Sequence, residues 1–489
     1  MSVRVGDIKS ALEEHGLLVE VKGQTPESVS GIADDSRKVE TGNLFIAVKG
    51  WASDGHDFLD AAAKRGAAMA IVENASRTKL PALVVREGRR AAAVAAGTAF
   101  GNPAKRLTLL GVTGTNGKTT TTSIMRHLFD DGARSSASIG TLGVLIGSAG
   151  DVLPGGSGLT TPGPVELQRV LRVLADRGVR TVAMEVSSHS LDQRRVEGLE
   201  FDVAVFTNLT RDHLDYHGTM EKYLQAKMLL LDYLKPTGTA VINADAKAWK
   251  ALMPRAKSLT FGARSAADVG AADIRFTPLG SEWRLETPAG AADVRLPLIG
   301  DVNVENALAA AAAALALGNA PASIAERLHT VPQVAGRLEI ISKQPTILRD
   351  YAHTPDALER SLRTARAFTR GKLIVVFGCG GDRDKGKRPL MGRIAEDGAD
   401  CAIVTSDNPR TEDPDAIIDD IEGGMQRGRH ERITDRLRAI QRSIEIARDG
   451  DIVLLAGKGH ETYQIRGTTS YPFDEKEIVK DLTGRGSHA

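Results

Sequence analysis

Residues 111–122 read GVTGTNGKTTTT, a glycine-rich turn between an apolar run at 107–112 and a segment of helical character that starts near Lys118. In such a turn backbone N–H groups wrap a polyphosphate, and the helix amino terminus adds favourable partial charge. Thr113, Gly114, Thr115, Asn116 and Gly117 would form that cradle for ATP or a similar nucleotide. Lys118 would reach the β- and γ-phosphates and the Thr119 hydroxyl would bind Mg²⁺. The spacing departs from G-x-x-x-x-G-K-[ST], because Val112 stands five before Gly117 while Gly114 stands three before it. A plain glycine turn is the alternative.

Two further stretches carry groups suited to a triphosphate. AMEVSSHSLDQRRVEG at 183–198 sets Glu185 at a strand end, with Ser187, His189, Gln193 and Arg195 close behind. FTNLTRDHLDYHGTMEKYLQAK at 206–227 concentrates Asp212, His213, Asp215 and His217 within six residues. Carboxylates and imidazoles here suit Mg²⁺ sites or orienting roles; singly, each would serve as a cap or core residue. A third stretch, SDNPRTEDP at 406–414, brings Asp407, Asn408 and Arg410 around Pro409, whose ring restricts its own φ and the preceding residue. One acceptor, one amide and one guanidinium on a stiff loop resemble a receptor for a molecule with both an ammonium and a carboxylate. A turn and helix N-cap with a solvated arginine explains the same residues.

The elements that must position these groups form an α/β protein of three domains. At 489 residues the chain exceeds what one hydrophobic core serves. A small α/β domain is expected over 1–105, closing at the linker-like GNPAKR of 101–106. A central parallel-sheet ATPase domain follows over 106–334, with strands at 107–112, 181–186, 202–207 and 239–242, hairpins between 272 and 298, and helices at 303–317 and 321–329. The last domain, 335–489, has strands at 346–349, 373–377, 402–405 and 452–456 and reads as a Rossmann-like doubly wound sheet. The three motif loops GTNGKT, SDNPR and AGKGHE all follow strands, where such sheets bind ligands.

Composition narrows the partners. A formal net charge of +1 gives no electrostatic case for nucleic acid or an anionic membrane. Two cysteines, Cys379 and Cys401, make no disulfide framework and fit a reducing compartment. The amino terminus carries charges where a signal peptide needs an apolar core, and ALAAAAAALAL at 307–317 is too short to span a bilayer. A cytoplasmic protein without membrane insertion is expected, working as a monomer on small molecules.

Together the segments resemble the Mur ligase family of ATP-dependent amide-forming enzymes along nearly the whole chain. The resemblance rests on GTNGKTTT (114–121), EVSSH (185–189), FTNLTRDHLDYHGT (206–219), GDVNVENALAA (300–310), GRLE (336–339), DYAHTPD (350–356), GCGGDRDKGKRPLM (378–391) and AGKGHE (456–461). DDSRKVETGNLFIAVKG (34–50) and DGHDF (54–58) match the form that adds the third residue of the peptidoglycan stem peptide. The resemblance implies that successive domains bind a UDP-sugar, ATP and the incoming amino acid. It also implies that meso-diaminopimelate is joined to UDP-N-acetylmuramoyl-L-alanyl-D-glutamate through an acyl phosphate.

Residue roles follow from the same resemblance. Lys118 and two Mg²⁺ ions would neutralise charge, with Thr119 and Glu185 on one ion and His213 near the second. Lys227, by its local pattern an ordinary helical lysine, would be carbamylated by CO₂ and would help hold the second ion. Ser36, Trp51, Ala52, Ser53, Thr160, Thr161, Ser187, Gln193 and Arg195 would bind the UDP-sugar, although Leu159 stands where many relatives have asparagine. Arg383, Asp407, Asn408, Pro409, Arg410, Gly457 and Glu461 would bind diaminopimelate, with Arg410 on its distal carboxylate. Asn303, Asn306, Arg337, Asp350 and His353 would meet the adenosine end of ATP. The rival readings are a lysine-adding relative, a folylpolyglutamate synthase, and a P-loop switch protein that hydrolyses nucleotide without joining substrates.

Overall fold

A computed structural model describes residues 2–50, 53–133, 135–154, 158–277 and 280–484. It contains three principal sheets in chain order. The first has five strands, with Gly31–Ala33, Asn43–Ile46, Met69–Val72 and Ala82–Val85 parallel and Leu18–Lys22 added antiparallel at one edge. Leu44 and Ile46 point into the core on one face and Phe45 into that on the other, as the two-residue strand period requires.

The central sheet has eleven strands. Its parallel part runs, in spatial order, Ser136–Gly140, Thr181–Glu185, Thr108–Thr113, Phe201–Phe206, Leu234–Asn243, Lys257–Gly262 and Val269–Thr277. Leu110 and Val112 face the helices Lys118–Leu128 and Asp301–Ala316, while Leu109 faces the helix Pro164–Asp176. The alanine run belongs to Asp301–Ala316, which is buried on all sides from Asn303 to Ala314. Small side chains let it pack closely against both the phosphate-loop helix and the sheet. The hairpins expected after 272 are Gly280–Thr287 and Gly290–Leu296. A second antiparallel extension, Gly143–Ile146 and Asp151–Leu153, closes the opposite edge and has no counterpart in the sequence reading.

In the third sheet Thr346–Asp350, Ile452–Ala456, Leu373–Phe377, Cys401–Val404 and His430–Arg432 lie parallel in that spatial order, with Glu339–Lys343 antiparallel at the edge. The carboxyl ends of four of these strands lead into 351–354, 378–381, 405–410 and 457–461, so the motif loops share one rim. The supposed linker GNPAKR is an ordered turn, Pro103–Arg106, with Pro103 buried.

The units are docked through polar contacts. Asn116 Nδ2 donates to Asp356 Oδ2 at 2.9 Å and Arg337 Nη2 to Thr119 Oγ1 at 3.1 Å. Gly300 has φ 93°, and a Cβ there would lie 2.3 Å from Thr364 Cγ2, so only glycine allows this approach of the central and third units. Arg90 of the first unit meets Glu197 of the second at 2.9 Å. Among the described residues no helix is long and apolar enough to cross a membrane.

Candidate active site

The phosphate loop joins the strand Thr108–Thr113 to the helix Lys118–Leu128. Gly114 has φ 145°, and a Cβ on it would fall 1.9 Å from Thr207 Oγ1. The loop is pinned from the next strand, where Thr207 Oγ1 donates to the Asn116 carbonyl at 2.7 Å and Asn208 Oδ1 accepts from Asn116 N at 2.8 Å. Lys118 Nζ donates to the carbonyls of Gly114 and Thr115, at 2.9 and 2.8 Å. Burial pulls its pKa below the ordinary lysine value. An arriving phosphate would give that ammonium a better partner than two neutral carbonyls.

Around the loop lies a cavity of 260 Å³ lined by Thr115, Asn116, Gly117, Lys118, Thr119, Thr160, Glu185, Asn303, Asn306, Arg337, Asp350 and His353 among others. It therefore collects most of the residues read as ATP ligands; Thr113, fully buried in the strand end, and Gly114 are not in its wall. Arg337, read with the adenosine end, lines this cavity, donates to the Thr119 hydroxyl and lies over the Tyr351 ring at 4.6 Å. The Asp350 carboxylate is occupied by Leu338 N at 2.7 Å and the Ser361 hydroxyl at 2.9 Å. Asn306 Nδ2 donates to Asn303 Oδ1 at 3.2 Å, behind Gly117.

Glu185 is buried at the end of its strand and accepts from Thr141 N at 2.8 Å and the Thr141 hydroxyl at 3.2 Å. With the Thr119 hydroxyl it supplies hard oxygen donors beside the phosphate loop, a chemistry that fits Mg²⁺ completed by phosphate oxygens and water. Among the described residues no three His, Cys, Asp or Glu side chains converge as a ready-made metal cage.

Lys227 is buried against the same loop. Its Nζ donates to the Gly114 carbonyl at 2.8 Å and stands 4.4 Å from the centre of the Tyr223 ring. Complete burial, with Lys118 adding to it, holds its pKa far below the ordinary value, so the amine is held toward its neutral form. Beside it His213 adopts φ 53° and approaches Asp212 at 3.4 Å.

His189, which the sequence singled out only within a cluster, packs against His213, Tyr216 and His217 at ring separations of 4.8, 4.2 and 5.4 Å. Burial, followed by the His213 and His217 charges, brings its pKa down to about 4. The unfolded chain would bind this proton near the ordinary histidine value of 6.5. Acidification through that window therefore favours unfolding, and the contribution is complete above it. Thermal denaturation from pH 7 to pH 4 is expected to show a falling midpoint, with a shallower fall in His189→Gln; parallel curves would contradict this.

A larger cavity of 640 Å³ opens on the rim of the third sheet. Arg383, Asp407, Asn408, Arg410, Gly457 and Glu461 all line it, whereas Pro409 does not. Pro409 is buried and shapes the loop through its carbonyl, which accepts from Glu412 N at 3.1 Å. Arg410 has φ 51°, its N–H donates to the Ile465 carbonyl and its Nη1 to the Gly381 carbonyl at 2.8 Å. Among the described residues neither Arg410 nor Arg383 is in an ion pair with a carboxylate. Asn408 Nδ2 donates to Glu461 Oε2 at 2.8 Å. The cavity thus offers two guanidinium groups and an oriented carboxylate to a zwitterion. It shares Asp212, His213, Tyr351, His353 and Thr354 with the phosphate-loop cavity, so the two are adjoining chambers.

The residues read for the UDP-sugar divide. Thr161 Oγ1 donates to the Glu185 carbonyl at 2.8 Å and accepts from Ser187 N at 3.1 Å. Arg195 donates to the Thr161 carbonyl at 3.0 Å and to Gln193 Oε1 at 2.7 Å. These four form one cluster, linked to the Glu185 strand end, and Thr160 lies beside it at the Thr141 hydroxyl. Ser36 begins the short 3-10 helix Ser36–Lys38 and Ser53 sits on a loop of the first unit, both outside the two cavities. Trp51 and Ala52 lie outside the described residues.

Comparison with known proteins agrees with this arrangement. Residues 28–107 match the Mur ligase family catalytic domain, 112–314 the Mur ligase middle domain, and 336–459 the Mur ligase glutamate ligase domain. The UDP-N-acetylmuramoyl-L-alanyl-D-glutamate–2,6-diaminopimelate ligase of Geobacillus kaustophilus is 46% identical over 470 residues, covering 94% of this chain and 95% of its own. A solved structure of a ligase of the same name superposes with a TM-score of 0.69 at 35% identity and full coverage of both chains. Mycobacterium tuberculosis folylpolyglutamate synthase, at 20% identity and a TM-score of 0.63 over 76% of this chain and 92% of its own, shares the fold. On the matched domains and the near-complete alignment with these ligases, the chain belongs to the Mur ligase family.

Proposed function

We propose that the protein is an ATP-dependent ligase that adds meso-2,6-diaminopimelate to UDP-N-acetylmuramoyl-L-alanyl-D-glutamate in peptidoglycan precursor synthesis. The observation that carries this reading is the shared wall between a phosphate-loop chamber and a chamber with two arginines and an oriented carboxylate. In this reading residues 1–105 bind the UDP-sugar end, 106–334 bind ATP, and 335–489 bind the amino acid. The Thr161, Ser187, Gln193 and Arg195 cluster receives the substrate's diphosphate or sugar, and its bond to the Glu185 strand end leads the peptide toward the phosphate loop.

The D-glutamate carboxylate then attacks the γ-phosphorus of ATP, and ADP departs. An amine of diaminopimelate attacks the acyl carbonyl, and phosphate leaves from the tetrahedral intermediate. Two anions meet in the first step, so catalysis is alignment plus charge neutralisation. Lys118 would neutralise phosphate, Thr119 and Glu185 would hold one Mg²⁺, and His213 with a carbamylated Lys227 would hold a second. When bound, the ions would supply positive charge to the phosphate oxygens. The neutral tendency of Lys227 supports its reaction with CO₂, since only a free amine forms a carbamate. Arg410 pairs with the distal carboxylate that lysine lacks.

Substrate labelled with ¹⁸O in its D-glutamate carboxylate tests the acyl phosphate. One label is expected in each released phosphate; unlabelled phosphate would contradict the route. Arg410→Ala is expected to raise KM for diaminopimelate by about 10²-fold through loss of a charge-assisted pair, leaving KM for ATP in place. Steady-state kinetics check this.

A further inference from the structure

Behind the wall of the amino-acid chamber lies Lys458, which is 0% exposed and does not itself line the cavity. Its Nζ donates to Asn408 Oδ1 at 3.1 Å and to Glu461 Oε2 at 3.3 Å, and lies 5.8 Å from the centre of the Tyr463 ring. Asn408 Oδ1 also accepts from Ile465 N at 2.9 Å. Two donors on that oxygen fix which way the amide faces, so Asn408 Nδ2 must point to Glu461, where it donates to Oε2 at 2.8 Å. Both contacts fall on one oxygen of Glu461, and the other is left for the chamber that Glu461 lines.

Charge points the same way. Asp407 and Glu461 both line the chamber, and among the described residues Lys458 is the cation in salt-bridge contact with Glu461. A buried ammonium has a desolvation cost that structural packing alone would avoid with an apolar residue of similar volume. Here it is spent on two groups that face the substrate.

We infer that Lys458 is a positioning residue for amine selection: by holding the Asn408 amide and one Glu461 oxygen, it aims the other Glu461 oxygen at the ammonium of the incoming amino acid. The inference rests on the proposed ligase reading. Lys458 touches no substrate; it acts through Asn408 and Glu461. Its loss turns a fixed carboxylate into a mobile one.

The test is steady-state kinetics of the full chain and of Lys458→Met and Lys458→Gln, with thermal denaturation of each. In both variants KM for meso-diaminopimelate is expected to rise about 10- to 10²-fold, the cost of a weakened hydrogen bond to a charged group, with kcat changed far less. KM for ATP and for the UDP-dipeptide should stay at the wild-type values. Unchanged KM for the amine in either folded variant would overturn the inference. So would an equal loss for all three substrates, or failure of both variants to fold, since each marks Lys458 as a purely structural cation. If the wild-type chain shows no turnover dependent on diaminopimelate, the ligase reading itself has failed, an outcome distinct from these.

Discussion

Lys118→Ala is expected to lower kcat/KM by about 10³-fold, the scale on which removing one preorganised electrostatic group acts. The lysine begins the helix after the phosphate loop and donates to the Gly114 and Thr115 carbonyls. Burial already disfavours its charge, so the variant is expected to keep its fold and its melting temperature. Nucleotide binding measured by calorimetry should weaken alongside turnover. A variant with wild-type turnover would remove Lys118 from the chemistry, and one that unfolds would show that the lysine supports the loop instead.

Loss of the Lys227 side chain is expected to lower kcat on the order of 10²- to 10³-fold, again as removal of a preorganised charge. A loss of this size requires that Lys227 carry a carbamate. Lys227 as a plain ammonium would set a second buried cation beside Lys118, and that repulsion is one of the forces depressing its pKa. Carbamylation replaces the cation with an anion that offers oxygen donors. Lys227→Ala leaves a cavity that a short-chain carboxylic acid can enter, so acetate or formate should restore part of the activity. Lys227→Met fills the same space and should not respond. Full activity of the methionine variant would contradict the metal-holding role, and rescue of both variants alike would show that the added acid acts elsewhere.

Much of the frame was legible because its signals are local. The strands Leu373–Phe377 and Ile452–Ala456 are unbroken apolar runs, the sequence mark of strands covered on both faces. The phosphate loop was legible because glycine positions and a lysine at a strand–helix junction have one strong chemical use. The extension Gly143–Ile146 and Asp151–Leu153 was not, since short glycine-flanked strands at a sheet edge carry little periodicity.

The candidate site divides along the same line. Asp407, Asn408 and Arg410 are neighbours in sequence, so their joint role could be proposed from one loop. Arg337 was read with the adenosine end, but its contact with Thr119 crosses 218 positions of chain. Lys458 sits inside AGKGHE, yet nothing in that string says that it reaches back to Asn408, 50 residues earlier. A helical setting likewise hid Lys227, whose meaning comes from the Gly114 carbonyl 113 residues away. Long-range contacts of polar groups were the part that sequence pattern could not supply.

In the proposed reaction the two chambers join an activated carboxylate to diaminopimelate in particular. The most direct measurement is phosphate release from ATP and Mg²⁺ with UDP-N-acetylmuramoyl-L-alanyl-D-glutamate, comparing meso-diaminopimelate with L-lysine. Turnover that requires diaminopimelate is predicted, with lysine giving little, because in the proposed arrangement lysine would offer Arg410 no carboxylate. Phosphate release indifferent to both amines would contradict the account.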